Sequence, residues 1–232
     1  MKYYSYKKII EIIKKKKFQK IFTFGQSRGG TTITSYILAH ELGFEKNFVP
    51  EEISNKLNIK RMFIELIKNK KIFIHNHHNV FKRKLLNNKK TIFIYIHRDD
   101  REILQSFKKV YNRNSDFNFL DDIQNRVLKK KGLKTKNGPK YLNNLWKSQI
   151  NDFYNAYTLD FNSIKKHKFY VNKNIRNKKF FSIKQISINR TSSGQRKKRD
   201  NLGLLKYHPE KGLRYIKLIL LFFYYKLASI FI

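Results

Sequence analysis

The sequence predicts an α/β fold: a single domain with a parallel sheet flanked by helices. Three observations carry this. Short apolar runs with strand preference, Ile21–Phe24, Lys71–Ile74 and Thr91–Ile96, alternate with stretches whose apolar residues recur at helical spacing. The run Thr91–Ile96 is continuously β-branched and aromatic, as in a strand buried on both faces, which parallel sheets demand. A glycine-rich turn follows the first strand, at the end of the sheet where such folds hold ligands. A chain of 232 residues, 41% apolar, suits one domain with a real core. It divides into a basic N-terminal helix (1–19), the α/β domain (20–209) and an apolar C-terminal helix (210–232).

The organising stretch is Lys20 to Phe44. Ile21, Phe22 and Phe24 form the strand, and Gly25–Gln26–Ser27–Arg28–Gly29–Gly30 the turn. Thr31 and Thr32 open a helix whose Ile33, Tyr36, Ile37, Leu38 and Leu42 share helical spacing, and Gly43 stops it. The first N–H groups of a helix lack partners and lie at the positive end of its dipole. With glycines allowing close approach, the natural occupant is a phosphate. The bland alternative is a ligand-free strand-to-helix turn.

Gly25-x-x-x-x-Gly30 fits the opening of the Walker A loop, so the fold expected is P-loop-like and nucleotide-binding. A kinase or ATPase would carry lysine where Thr31 stands, and that lysine meets the β and γ phosphates; its absence argues against triphosphate chemistry. The base is Arg28 instead. Arg28–Gly29–Gly30–Thr31–Thr32 resembles the 5′-phosphosulfate loop of the sulfotransferases, [RK]-S-G-T-T, with Gly29 for the usual serine and Ser27 where proline is common.

Two further segments extend the resemblance. Lys90 to Tyr111 reads strand, Arg98, Asp99, then a helix carrying Ile103, Leu104, Phe107 and Val110. This looks like the 3′-phosphate segment of sulfotransferases, which implies that Arg98 and Ser106 hold the nucleotide's 3′-phosphate. A guanidinium fork suits that task; the structural alternative is a solvated arginine beside a helix cap. Asp99 could instead be a Walker B aspartate holding magnesium, as a kinase would need. The strand Lys71–Ile74 ends in His75–Asn76–His77–His78–Asn79. Adjacent histidines on a strand point to opposite faces, so they cannot all converge on one metal ion, and no metal is expected. The segment resembles the K-T-H-x-P strand end that supplies the general base in cytosolic sulfotransferases. The likeness puts His77 at the base, and imidazole titrates near working pH. Other branches use a glutamate, which leaves Glu51 or Glu52 as substitute; their ordinary role is to favour a helix start.

Beyond this the likeness thins. Asn112 to Asn162 reads mostly helical, with a break at Gly132 to Pro139 and one stripe through Leu142, Leu145, Trp146, Ile150, Phe153 and Tyr157. Lys168 to Val171 is a candidate fourth strand. Asn172–Lys173–Asn174–Ile175 replaces the family's Tyr-Glu-Asp-Leu. The loop Arg190 to Asn201 lies where the family has an R-K-G-x-x-G-D-W-K segment that closes over the nucleotide; Arg190 and Gly194 match its second and sixth positions, Gln195 and Arg196 stand for Asp and Trp, and the equal alternative is a flexible basic loop.

There is no cysteine, which excludes disulfides, zinc–thiolate sites and cysteine nucleophiles and suits a reducing compartment. A net charge of +36 invites a nucleic-acid reading. The charge is spread along the whole chain with Lys, Asn and Ile, as AT-rich coding produces, so no dedicated nucleic-acid partner is expected. Residues 1–19 hold too short an apolar block for a secretory signal. The helix of Ile216 to Ile232 would span ~25 Å, short of a ~30 Å hydrocarbon core. It either packs on the domain or lies in a membrane interface, so the expected location is cytoplasmic, with peripheral membrane contact as the second option.

The resemblance implies a sulfotransferase that uses 3′-phosphoadenosine 5′-phosphosulfate without a metal. Arg28 and His77 would be catalytic. Ser27, Arg28, Gly29, Gly30, Thr31, Thr32, Arg98, Ser106 and Arg190 would bind the donor. The acceptor, a hydroxyl or amine of a glycan, lipid or small molecule, and the oligomeric state are not legible. The alternatives are a P-loop kinase and a non-catalytic basic binding module.

Overall fold

A computed structural model describes residues 1–54, 59–76, 83–110, 132, 138–167 and 213–231. In chain order its main elements are β1 (Tyr3–Tyr4), α1 (Tyr6–Lys15), β2 (Lys20–Gly25), α2 (Thr31–Glu41), β3 (Phe48–Val49), α3 (Glu51–Ser54), α4 (Ile59–Lys68), β4 (Ile72–His75), β5 (Thr91–His97) and α5 (Asp100–Val110). Then come α6 (Gly138–Gln149), β6 (Ala156–Asp160) and α7 (Leu213–Phe231).

The six strands form one sheet in the order β1-β6-β5-β2-β4-β3, and every pairing is parallel. The protein is therefore an α/β fold with a single parallel sheet between helices, of P-loop-like arrangement. β2 lies at the centre, with β4 on one side and β5 on the other. The chain leaves β2 toward the β3 edge, returns through β4, then crosses to β5, so the carboxyl end of β2 is a topological switch point. The order differs from the classical dinucleotide fold, where the first two strands are neighbours; here β4 separates β2 from β3.

Strand alternation sorts the core into two layers. Phe22, Phe24, Phe93 and Tyr95 pack with Met62, Phe63 and Leu66 of α4, Trp146 of α6 and Leu218 and Phe222 of α7. Ile21, Ile92, Ile94 and Ile96 pack on the opposite face with Ile9 and Ile13 of α1 and Ile37, Leu38 and Ala39 of α2. β2, β4 and β5 are buried on both faces, as their unbroken apolar runs require. Ser5 caps α1 by accepting the Lys8 N–H at 3.3 Å, so the expected N-terminal helix forms, and Ile9 and Ile13 make it part of the core.

One segment departs from the expectation. The stripe read as one helix through Tyr157 stops at Gln149; a short turn follows, and Ala156–Asp160 is strand β6, paired with β1 and β5. Neither glycine nor proline marks the break, so spacing alone carried the helix too far. Trp146 donates its indole N–H to Thr158 at 3.0 Å, which pins the returning strand under the helix. The proposed strand Lys168–Val171 and the loop Arg190 to Asn201 lie outside the described residues. The C-terminal helix packs Phe222 edge-on against Phe63, with centroids 5.2 Å apart, while Leu220, Phe223 and Leu227 are exposed. Among the described residues no helix is long and apolar enough to cross a membrane.

Candidate functional site: an arginine-lined glycine loop

The glycine turn sits at the carboxyl end of β2. Gln26 accepts the Gly29 N–H at 3.0 Å, closing a tight turn in which Arg28 has φ +63°. A left-handed arginine is uncommon and costs roughly 1–3 kcal/mol, so the surroundings must hold it. They do so at both ends. The Arg28 carbonyl accepts from Nη1 of Arg98 at 3.0 Å, and its Nε donates to Oγ of Ser106 at 3.3 Å.

Gly30 is the N-cap of α2, at φ +76°, and offers no side chain to the helix N–H groups. A Cβ there would fall 2.0 Å from the Phe161 ring. Phe161, buried just after β6, also carries the guanidinium of Arg98 over its face at 4.9 Å. One ring therefore seats both the loop and the arginine behind it.

Gln26, almost fully buried, ties the loop to α6 by donating to the Pro139 carbonyl at 3.0 Å and to Asn143 Oδ1 at 2.8 Å. Asn143 in turn donates to Asp100 at the start of α5. Burial raises the Asp100 pKa above the ordinary aspartate value, and the Asn143 hydrogen bond opposes that rise. Glu102 accepts from Arg98 Nε at 2.9 Å and from Lys165 Nζ at 2.9 Å. The Lys165 hydrogen bond, then that from Arg98, holds the Glu102 carboxyl below its ordinary pKa.

A second carboxylate stands on the other side of the loop. Glu51, the first residue of α3, accepts the Thr32 hydroxyl on Oε2 at 3.0 Å. The same oxygen lies 3.4 Å from Nε2 of His75, fully buried at the end of β4. That contact is close but not aligned as a hydrogen bond, and among the described residues Nε2 has no other hydrogen-bond partner. Ser35 donates to the Thr31 carbonyl at 2.7 Å, which leaves its oxygen to accept from Thr23 at 2.8 Å. Thr23 Oγ1 can then accept from His75 Nδ1, 3.4 Å away. This direction puts the His75 proton on Nδ1 and turns a lone pair, or a second proton, toward Glu51.

Of the expected site residues, Arg28, Arg98 and Ser106 meet directly, and Ser27, Gly29, Gly30 and Thr31 form the loop beside them. Thr32 points its hydroxyl at Glu51. Arg98 is not solvated but held by Glu102 and Phe161. Asp99 caps α5, its Oδ1 accepting the Arg101 and Glu102 N–H groups at 2.9 and 3.2 Å, which is a helix-start role. His77 and Arg190 lie outside the described residues. Among the described residues no group of three or more His, Asp or Glu side chains could hold a metal ion. Sequence reasoning missed Gln26, His75 and Phe161. Phe161 follows a strand that was itself read as helix, so nothing local marked it.

No family model, no curated protein and no solved structure matches the chain.

Proposed function

We propose that the protein is a sulfotransferase that moves a sulfuryl group from 3′-phosphoadenosine 5′-phosphosulfate to a hydroxyl or amine. The observation that supports this best is the meeting of Arg28, Arg98 and Ser106 beside an uncapped helix N-terminus. Two anions could sit side by side there, one at the backbone donors and threonines of the loop and one at the Arg28 and Arg98 guanidiniums with the Ser106 hydroxyl. A donor with phosphates on both the 5′ and 3′ carbons of its ribose asks for such a pair.

In the reaction the bond from sulfur to the 5′-phosphate oxygen breaks as the bond from sulfur to the acceptor forms. The acceptor's proton passes to a base, and the 3′,5′-bisphosphate leaves. Charge grows on the phosphate oxygen, and Arg28 with the loop N–H groups answers it. Arg98 and Ser106 hold the far phosphate and so fix the reacting end. Glu51 is the described group best placed to take the proton: its Oε2 accepts from Thr32, and a phosphate that draws the Thr32 hydroxyl away would leave that oxygen a freer acceptor. His77 remains the alternative base. The single-turnover rate of Glu51→Gln decides between them, a wild-type rate removing Glu51.

The same reading gives a cytoplasmic location, with the exposed side of α7 as the part that would touch a membrane interface; sedimentation with anionic vesicles tests that contact. Titration calorimetry tests the donor. The 3′,5′-bisphosphate should bind at least about tenfold more tightly than AMP, and Arg98→Ala should erase the difference, since a charge-assisted phosphate contact contributes about 1.5–3 kcal/mol. Equal affinity of the wild type for both nucleotides would sink the donor assignment.

A further inference from the structure

The opposite edge of the sheet carries a second cationic feature that the transfer reaction does not use. In a parallel sheet all strands begin at one edge. Lys20 of β2 is level with Ile72 of β4 and Thr91 of β5, so the residues just before these strands gather there. A cavity of about 470 Å³ opens among them. Its walls take Lys16 and Lys17 from the α1–β2 connection, Lys20 from the start of β2, Lys70 from before β4, and Lys89 and Lys90 from before β5. Among the described residues Phe18 and Gln19 complete the lining, and no carboxylate contributes.

Positive charge is common on this chain, 52 Lys and Arg against 16 Asp and Glu, and carboxylates match only some of it. Lys8 pairs with Glu11, Lys84 with Asp152 and Lys165 with Glu102. None of the six cavity lysines pairs with a described carboxylate. Lys16 reaches the Tyr157 hydroxyl at 3.1 Å and Lys20 the Ile67 carbonyl at 3.1 Å, contacts that neutralise nothing. Lys20 is half-buried, and burial, then the charge of Lys90, holds its pKa below the ordinary lysine value. Lys17 sits at φ +53°, a conformation lysine seldom adopts. Like charges gathered in one concave place repel one another, and an anion would relieve that cost, most of all at Lys20, the one half-buried lysine of the six.

We propose that this cavity binds a small anion carrying several phosphate groups. One phosphate would neutralise at most two of six ammoniums, and the volume lies in the range of small-molecule sites. Lysines act as point charges and impose no bidentate geometry, so the ligand is selected by charge density more than by the orientation of its groups. The site is separate from the loop and does not depend on the transferase reading.

The test is calorimetric titration of the full chain with inorganic tripolyphosphate. Wild type should bind it. Lys70→Gln/Lys89→Gln, at two exposed positions where the fold is not at stake, should weaken that binding at least about tenfold. Lys20→Gln/Lys90→Gln should do the same, while Arg28→Ala should leave this event in place. Unchanged affinity in both lysine pairs, or an equal heat from sodium sulfate at matched ionic strength, would overturn the site. Vesicles of phosphatidylcholine doped with phosphatidylinositol bisphosphate then separate two sources of the same chemistry. Retention that both lysine pairs abolish identifies a lipid headgroup, and no retention alongside tripolyphosphate binding identifies a free phosphate compound.

Discussion

The two edges of the sheet are both cationic, yet they are made differently. At the carboxyl edge Arg28 and Arg98 are each held by named partners: Ser106, the Arg28 carbonyl, Glu102 and the Phe161 ring. At the amino edge six lysines line a cavity with no described carboxylate among them. The first is preorganised, so a phosphate placed there would meet donors already aimed. The second is a field, strong at low salt and tolerant of shape. The contrast teaches that charge alone would not mark a ligand site on so basic a chain. What marks it is the machinery that orients the charge, including a carboxylate whose proximity would otherwise look like waste.

The sharpest way to break the comparison is Arg28→Ala. If the loop is built for the transition state, turnover should fall on the order of 10²-fold or more, with a smaller loss of nucleotide affinity. Single-turnover kinetics with a chosen acceptor measure this, and an unchanged rate would make the loop no more than another cationic surface.

Next in size is Gly30→Ala. The substitution meets both a left-handed φ and the Phe161 ring, so it should cost about 2–4 kcal/mol in urea denaturation and weaken bisphosphate binding. Gly30→Ala/Phe161→Ala should recover part of the binding, because the ring that blocks the Cβ is gone, though Arg98 loses its support. A Gly30→Ala chain of wild-type stability would show that the loop is not held against Phe161.

Much of the carboxyl edge was legible beforehand. The strand, the turn, Arg28 and the Arg98–Ser106 spacing are local patterns, and local patterns survive folding when the strands are long and apolar. What escaped was supplied by residues distant in sequence. Phe161 reaches Gly30 across more than a hundred positions, from behind a strand of only five residues that continues a helical stripe without a break signal. Gln26 and His75 are polar residues whose burial only the sheet order decides. The amino-edge cavity is likewise topological: its lysines come from three separate segments, each an ordinary basic turn on its own.

The smallest effect lies on α5, where two nearby carboxylates have opposite tendencies. The Glu102 pKa is lowered by Lys165 and Arg98. A carboxyl whose folded pKa is depressed adds stability above its unfolded value and loses it as pH falls through the folded one. Asp100 runs the other way: burial raises its pKa, so its contribution is largest when it is protonated and declines as pH rises through the folded value. Glu102→Gln should therefore cost under about 1 kcal/mol at neutral pH, since the pair is partly exposed and screened, and should flatten the acid side of the stability profile. Asp100→Asn should leave that acid limb and remove the decline above it. Urea titrations from about pH 3 to 7 separate the two. An acid limb as steep in Glu102→Gln as in wild type would mean that Glu102 does not hold Arg98, and the orientation that sets the carboxyl edge apart would rest on Phe161 alone.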